Sequence, residues 1–306
     1  MASTYRFGSE ALPENNGAPG RPGVNSIAVR KTVIVPPDVL RDLARIAGKL
    51  YPGYTPNQPS GDDKKFALFG TRFEAGPSRA NSYEISEPDL AGILRAVRQG
   101  KQHSDFLVAT LHSHEPADTS EPDPKNDFAD SPAGFVQTLA RSAIDSGADA
   151  FMVTGIHHLG PIEIYKGRPI FYGLGDFFWS DIQEPMPADF YSQYRRSLVG
   201  AFRNPERATD ADLANALNAE GFNGEPPFES VITQSRYDHG QVVEVRLYPV
   251  YLGYGMKLTE SGIPRVASPE QATKILRRMQ EMSKPYGTAI AIQPDDAWHF
   301  VGIIHP

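Results

Sequence analysis

The sequence predicts an α/β protein built on an open, parallel sheet, and three observations carry the prediction. First, "DFLVATL" (Asp105–Leu111) and "ADAFMVTG" (Ala148–Gly155) are unbroken apolar runs, the pattern of strands covered on both faces. Second, "SPAGFVQTLARSAIDSG" between them has helical periodicity, with Ser131 placed to cap, Pro132 at the first helical position and Gly147 past the end. Strand, helix and strand over Asp105–Gly155 make a right-handed parallel crossover. Third, His112, His114 and Glu115 follow the first apolar run, His157 and His158 the second, and Asp176 follows "IFYGLG". Open α/β sheets collect their sites outside the carboxyl ends of strands, so these residues are expected to share one site.

The other elements follow in order. Residues 1–25, rich in Gly, Pro and Asn, read as an extended arm or loop, and residues 26–306 as a single domain. "SIAVRKTVIV" (Ser26–Val35) reads as a strand. "PPDVLRDLARIAGKLY" reads as a helix starting near Pro37, with Val39, Leu40, Leu43, Ile46, Ala47 and Leu50 on one face. Residues 52–64 form a polar loop and "KKFALFG" a short strand. "SEPDLAGILRAVRQG" is a helix capped by Ser86, with Pro88 in its first turn and Gly100 closing it. An acidic loop, Glu121–Asp130, precedes the crossover helix, and "PIEIYKGRPIFYGLGDF" gives two short strands about a Lys166–Gly167 turn. "FYSQYRRSLVGAF" and "DADLANALNAEGF" read as helices, and "QVVEVRLYPVYLGYG" as a long strand after an Asp238–Gly240 turn. "PEQATKILRRMQEMS" is an amphipathic helix with Ile275, Leu276, Met279 and Met282 inward.

Composition narrows the function. The net charge of −7 over 306 residues disfavours general affinity for nucleic acid or anionic lipid. No stretch reaches the apolar length of a membrane span and the N-terminus lacks a signal-peptide core, so the expected location is cytoplasmic. Without cysteine there is no disulfide and no thiolate ligand, so any metal is held by His, Asp, Glu, Asn or water.

Each polar residue at the strand ends has a chemical and a bland reading. "HSHE" is either a site or a polar strand exit facing solvent. On an extended segment His112 and His114 point to one side, Ser113 and Glu115 to the other, so all four serve one site only if the segment bends. Glu163 either orients a histidine or satisfies backbone groups. Asp176 after two glycines either shapes a turn or supplies an acid/base. Arg168 meets an anionic substrate or is a hairpin surface charge. The aromatics Tyr165, Phe171, Tyr172, Phe177, Phe178 and Trp179 read as core before substrate platform.

The stretch "ARSAIDSGADAFMVTGIHHLGPIEIYKGRPIFYGLGDFFWSD" resembles the CapA family of bacterial capsule-synthesis (poly-γ-glutamate biosynthesis) proteins. His112 and Glu115 match that family's H-x-x-E motif, Gly155 and His157 its G-x-G-P-H turn, and Glu163 with Leu174–Phe177 its third segment. Weaker likeness covers "RPGVN", "LYPVYL" and "GIPRVASPEQATKILRRMQEMSKPYGT". The resemblance implies a calcineurin-like metallophosphoesterase fold, a layered β core flanked by helices, with a site at the strand ends. It also implies two-metal hydrolysis, in which bridged water attacks phosphorus and a histidine protonates the leaving group. The chain departs from the pattern at Thr154, where many relatives carry histidine, and at Asp176, where they carry asparagine. The family's N-terminal "GD", "NLE" and "NNH" motifs have no match here, so the fold is expected to be incomplete at the N-terminus, with a partner chain or a homo-oligomer completing it.

The resemblance therefore implies a hydrolase of capsule or polymer metabolism, acting on a phosphoester or a γ-glutamyl or peptidic polymer. His112, Glu115, His157 and Asp176 would be catalytic, His112 and His157 also ligands of a divalent metal (Mn, Mg, Zn or Fe). His114 and Arg168 would bind the small-molecule, peptide or polymer substrate, with His158 and Glu163 behind them. Two alternatives stand beside it. One is a metal-independent His–carboxylate enzyme, for example an epimerase of peptides. The other is a non-catalytic capsule-assembly or binding component.

Overall fold

The crossover expected between Asp105 and Gly155 forms, and the chain divides into two compact units, Met1–Gly155, which contains it, and Ile156–Pro306. The computed structural model describes residues 2–4, 11–12, 16–50, 65–115, 117–118, 131–178, 187–193, 204–214, 225–257 and 260–306. The expected acidic loop at Glu121–Asp130, the loop at 52–64, Trp179 and most of the two expected helices after Phe190 and Asp210 lie outside these residues.

In chain order the first unit contains β1 (Ala2–Ser3), β2 (Asn25–Ser26), β3 (Val29–Val35), α1 (Pro37–Leu50), β4 (Lys65–Leu68), β5 (Thr71–Ala75) and β6 (Ala80–Ile85). It continues with α2 (Glu87–Gln102), β7 (Val108–His112), α3 (Gly134–Asp145) and β8 (Ala150–Thr154). Strands β2, β1, β7 and β8 lie side by side and all run parallel. The arm expected at residues 1–25 thus contributes strand: Ala2 and Ser3 lie opposite Leu111 and His112. Leu111, Leu139, Ala140 and Phe151 are buried between sheet and α3, as the unbroken apolar runs require.

A second sheet in this unit has the order β4-β5-β3-β6. Helix α1 covers it through Val35, Leu40, Ala47 and Leu68. The stripe expected on α1 is wider than its partner surface, since Val39, Ile46 and Leu50 stay exposed. The single strand expected over Ser26–Val35 is instead two, because the chain leaves one sheet after Ser26 and enters the other at Val29. Buried Ile27 marks the crossing, its N–H bonded to the Ser3 carbonyl. Strands β5 and β6, unassigned from sequence, complete the second sheet.

Two helix ends differ from expectation. Helix α2 keeps its Ser86 cap, whose hydroxyl accepts from the Asp89 N–H, but runs past Gly100 to Gln102. Gly100 serves packing there: a Cβ would lie 3.4 Å from the Leu107 side chain. Ser131 does not cap α3; the Asp118 carboxylate does, accepting from the Gly134 N–H at 2.9 Å. Gly147, at φ +110°, ends α3 as expected.

The second unit contains β9 (Ile162–Tyr165), β10 (Arg168–Phe171), α4 (Ala188–Gln193), β11 (Glu229–Asp238), β12 (Gln241–Tyr251), β13 (Arg265–Val266), α5 (Pro269–Ser283), β14 (Ala291–Asp295) and β15 (His299–Ile304). The expected Lys166–Gly167 hairpin and the expected turn at Asp238–Gly240 both form, with two left-handed residues at each tip, and the second turn joins β12 to β11, a strand unassigned from sequence. Strands β11, β12, β15 and β14 make an antiparallel sheet with β13 beside β12. Helix α5 lays Ile275, Leu276, Met279 and Met282 inward, all buried, and opens on a Ser268–Gln271 capping box.

Candidate functional site

The end of β7 builds a short chain of hydrogen bonds in the first unit. The Thr154 hydroxyl reaches the Leu111 carbonyl at 3.5 Å, and His112 Nδ1 lies 3.2 Å from Thr154 Oγ1. His112 Nε2 in turn sits 3.0 Å from His114 Nε2. If Thr154 donates to the carbonyl, its oxygen accepts from His112 Nδ1–H, and His112 Nε2 accepts from His114 Nε2–H. Thr154 therefore orients His112.

Alternation at the strand end separates the four polar residues as the sequence predicts. The two imidazoles share one side, while Glu115 on the other receives the Ser113 hydroxyl and, at 2.9 Å, that of Thr4. Thr4 is anchored by its N–H to the His112 carbonyl at 3.1 Å. Gly155 lets β8 leave close beneath this segment: φ is +100°, and a Cβ would lie 2.6 Å from the Ser113 carbonyl and 3.1 Å from the His114 ring. Tyr83 of β6 was not singled out from sequence. Its buried hydroxyl has no hydrogen-bond partner among the described residues. Burial, then the Glu115 and Asp118 charges, push the phenol well above its usual range. The alternation of "ANSYEI" is the signal that could have placed it inward.

In the second unit His157 and Asp176 form a pair. His157 Nδ1 lies 3.3 and 3.2 Å from the two carboxylate oxygens, with the side chains 31% and 22% exposed, open enough for a substrate to reach. His157 adopts φ +53°, a left-handed conformation that costs a non-glycine residue about 1 kcal/mol. Asp176 is held from behind, since the Leu174 carbonyl accepts from Ser230 Oγ at 2.9 Å and the Val231 N–H at 3.2 Å. Gly175, at φ +74°, passes so close to β11 that a Cβ would sit 2.6 Å from the Glu229 carbonyl.

His158 and Glu163 are buried in this unit. His158 Nδ1–H donates to the Leu159 carbonyl at 2.8 Å, and Tyr172 donates its hydroxyl to Glu163 at 2.7 Å. Arg168 lies at the amino end of β10, the opposite end from Asp176, and donates to the Gly240 carbonyl in the hairpin turn. The structure thus brings His112 to His114 and His157 to Asp176. It turns Glu115 toward Thr4 and Ser113, and ties Arg168 to the turn.

Among the described residues no group of three or more His, Asp or Glu is arranged to hold a metal ion. The His112–His114 spacing suits two ligands of one cation: nitrogens about 2.0–2.1 Å from a tetrahedral ion lie roughly 3.3 Å apart. The fit is therefore that of a two-nitrogen platform and not of a full shell.

Fold and strand ends together define a mixed α/β protein carrying acid–base and ligand-type side chains where its strands finish. Residues 50–180 match the family model described as bacterial capsule synthesis protein PGA_cap. Two uncharacterized proteins of Sinorhizobium fredii, y4sH and y4uA, are each 41% identical over 304 residues, covering 95% of this chain and 61% of theirs. The PGA biosynthesis protein CapA of Bacillus subtilis is 33% identical over 100 residues, 33% of this chain and 23% of that protein. The likeness to the bacterial capsule-synthesis family thus rests on residues 50–180. The chain spans about 61% of the length of the Sinorhizobium relatives.

Proposed function

We infer that the protein is a hydrolase of capsule-polymer metabolism, cleaving a phosphoester or a γ-glutamyl bond on a metallophosphoesterase-type fold. The observation that carries this reading is the His157–Asp176 pair. An imidazole whose Nδ1–H is held by a carboxylate keeps Nε2 directed outward, ready to take a proton from water or to give one to a leaving group. Asp176 stabilises the imidazolium formed in between. Placing it on a strained left-handed residue fits a turn kept for chemistry at some expense of stability.

The His112–His114 platform supports a second component, a divalent cation (Mn, Mg, Zn or Fe). When bound, it would supply Lewis-acid polarisation and a more acidic water. His112, fixed by Thr154, would be the stronger ligand of the two.

The test is turnover of bis-p-nitrophenyl phosphate and of γ-glutamyl-p-nitroanilide, with elemental mass spectrometry of the same samples. His157→Asn and Asp176→Asn are expected to lower kcat about 10²–10⁴-fold with bound metal unchanged. His112→Ala is expected to lose the metal. Wild-type turnover unaffected by either dyad variant sinks the reading. A metal-independent proton-transfer enzyme is the second reading, since a His–carboxylate pair such as His157–Asp176 can move a proton at a Cα; deuterium exchange at peptide Cα positions without hydrolysis would select it.

A further inference from the structure

One strand of the second sheet in the first unit stops short of its neighbour. In the parallel β3–β5 ladder Thr32 lies level with Arg72 and Val35 with Ala75. Carried back, that register sets Val29 level with Phe69, which with Gly70 forms the left-handed turn into β5, at φ +50° and +78°. Strand β3 begins at Val29 and β5 only at Thr71, so beside Val29–Lys31 the lane of β5 holds no strand among the described residues.

The main chain of β3 points into that lane. Just past β5, the Gly76 N–H donates to the Val35 carbonyl at 2.9 Å; just past β6, on the other side, the Ser86 N–H donates to the Ala28 carbonyl at 2.9 Å. Because main-chain groups alternate from side to side along a strand, the N–H and C=O of Val29 and the N–H of Lys31 face the lane.

A hollow of about 760 Å³ opens there, within the roughly 300–1,000 Å³ usual for ligand sites. Opening at a strand edge, it draws side chains from both faces of the sheet. Val29, Val33 and Ile85, which is level with Val29, line it from one face. Arg30 and Arg72 line it from the other, and Glu84, 3.4 Å from Arg30, is the carboxylate set against them.

An open strand edge with outward amides is a template for another extended main chain, and the side chains of an added strand alternate between the same two faces. We propose that this lane binds an extended α-peptide in which acidic and apolar residues alternate. Its carboxylates meet Arg30 and Arg72, its apolar side chains lie over Val29, Val33 and Ile85, and its main chain pairs with Val29 and Lys31. None of His112, His114, His157 and Asp176 lines the hollow, so the site is separate from the groups that carry the hydrolase reading and does not depend on it.

The experiment is fluorescence anisotropy of the 306-residue chain with a labelled, end-capped pentapeptide alternating glutamate and valine. A Kd of about 10–100 μM is expected. Three comparison peptides separate the parts of the site. Lysine in place of glutamate should weaken binding at least about tenfold, and so should a γ-linked glutamate pentamer, whose charges sit on a main chain of the wrong spacing. N-methylation at alternate peptide nitrogens, made in both frames, should weaken binding at least about tenfold in the frame that faces β3. On the protein, Arg30→Ala/Arg72→Ala should weaken binding at least about tenfold. Both side chains are exposed, so this variant should keep the wild-type melting temperature, which separates lost contact from lost fold. His157→Asn should leave binding in place. No binding at about 1 mM peptide, equal binding of the lysine or γ-linked peptide, tolerance of N-methylation in both frames, or indifference to Arg30→Ala/Arg72→Ala overturns the proposal.

Discussion

At the scale of single residues, the second strand end depends on backbone shapes that side chains other than glycine resist. Gly175 has to combine a left-handed φ with contact against the Glu229 carbonyl, and it stands directly before Asp176. Alanine there incurs the left-handed cost and forces β11 or the Leu174–Asp176 segment to shift. Gly175→Ala is therefore expected to destabilise by about 2–4 kcal/mol in urea titrations and to abolish turnover by moving the carboxylate off His157. A variant with wild-type stability would show that β11 yields easily and that the anchoring is weaker than its geometry. The repeated glycines of "FYGLGDF" are legible as tight turns; that the second one faces a carbonyl more than fifty residues away is not, because nothing local in the sequence names Glu229. The same limit hid Thr4 and Tyr83. Thr4, just after β1, donates to Glu115, and Tyr83 on β6 feels the Glu115 charge, yet each reads locally as an ordinary arm or strand residue.

At the scale of elements, what the sequence carries well is periodicity within one segment. The crossover β7–α3–β8, the hairpin β9–β10, the long strand β12 and helix α5 all form where the apolar spacing places them. What it carries poorly is capping and pairing across long separations: Asp118 rather than Ser131 caps α3, and β5 with β6 complete a sheet that only β3 and β4 suggested. Helix α5 also shows how ions fasten an element. The Glu225 carboxyl is pulled up by burial but pulled down further by hydrogen bonds from Lys274 and Tyr251 and by the Lys274 charge, so it ends below its usual range. A carboxyl depressed in the folded state contributes stability that is present above its unfolded value and is lost as pH falls through its folded value. Glu225→Gln is thus expected to melt lower than wild type at neutral pH and to converge with it in acid, read by thermal melts from pH 7 down to pH 3. A difference between the two proteins that stays constant over that range would mean the cluster acts through packing and not through charge.

At the scale of the whole molecule, composition speaks about partners more than about fold. A formal charge of −7 sets an unfavourable field for any polyanion, and non-specific nucleic-acid binding draws its free energy from phosphate neutralisation and counterion release. Local clusters can still oppose the average. The first unit has a hollow of about 760 Å³ whose lining includes Arg30, Lys31 and Arg72, with Glu84 set against Arg30 at 3.4 Å. Exposed side chains of this kind gain little from pairing and are screened by salt, so three cations, one of them matched, are too few to hold a duplex near physiological ionic strength. Fluorescence anisotropy with a labelled 20-base-pair duplex is expected to show no binding at 150 mM salt. Should binding appear with a log–log salt slope of about −3, the hollow has captured phosphates despite the net charge. Arg30→Ala, Lys31→Ala and Arg72→Ala should then each flatten that slope by about one. A slope insensitive to all three would place the contact elsewhere and remove net charge as a guide to this protein's partners.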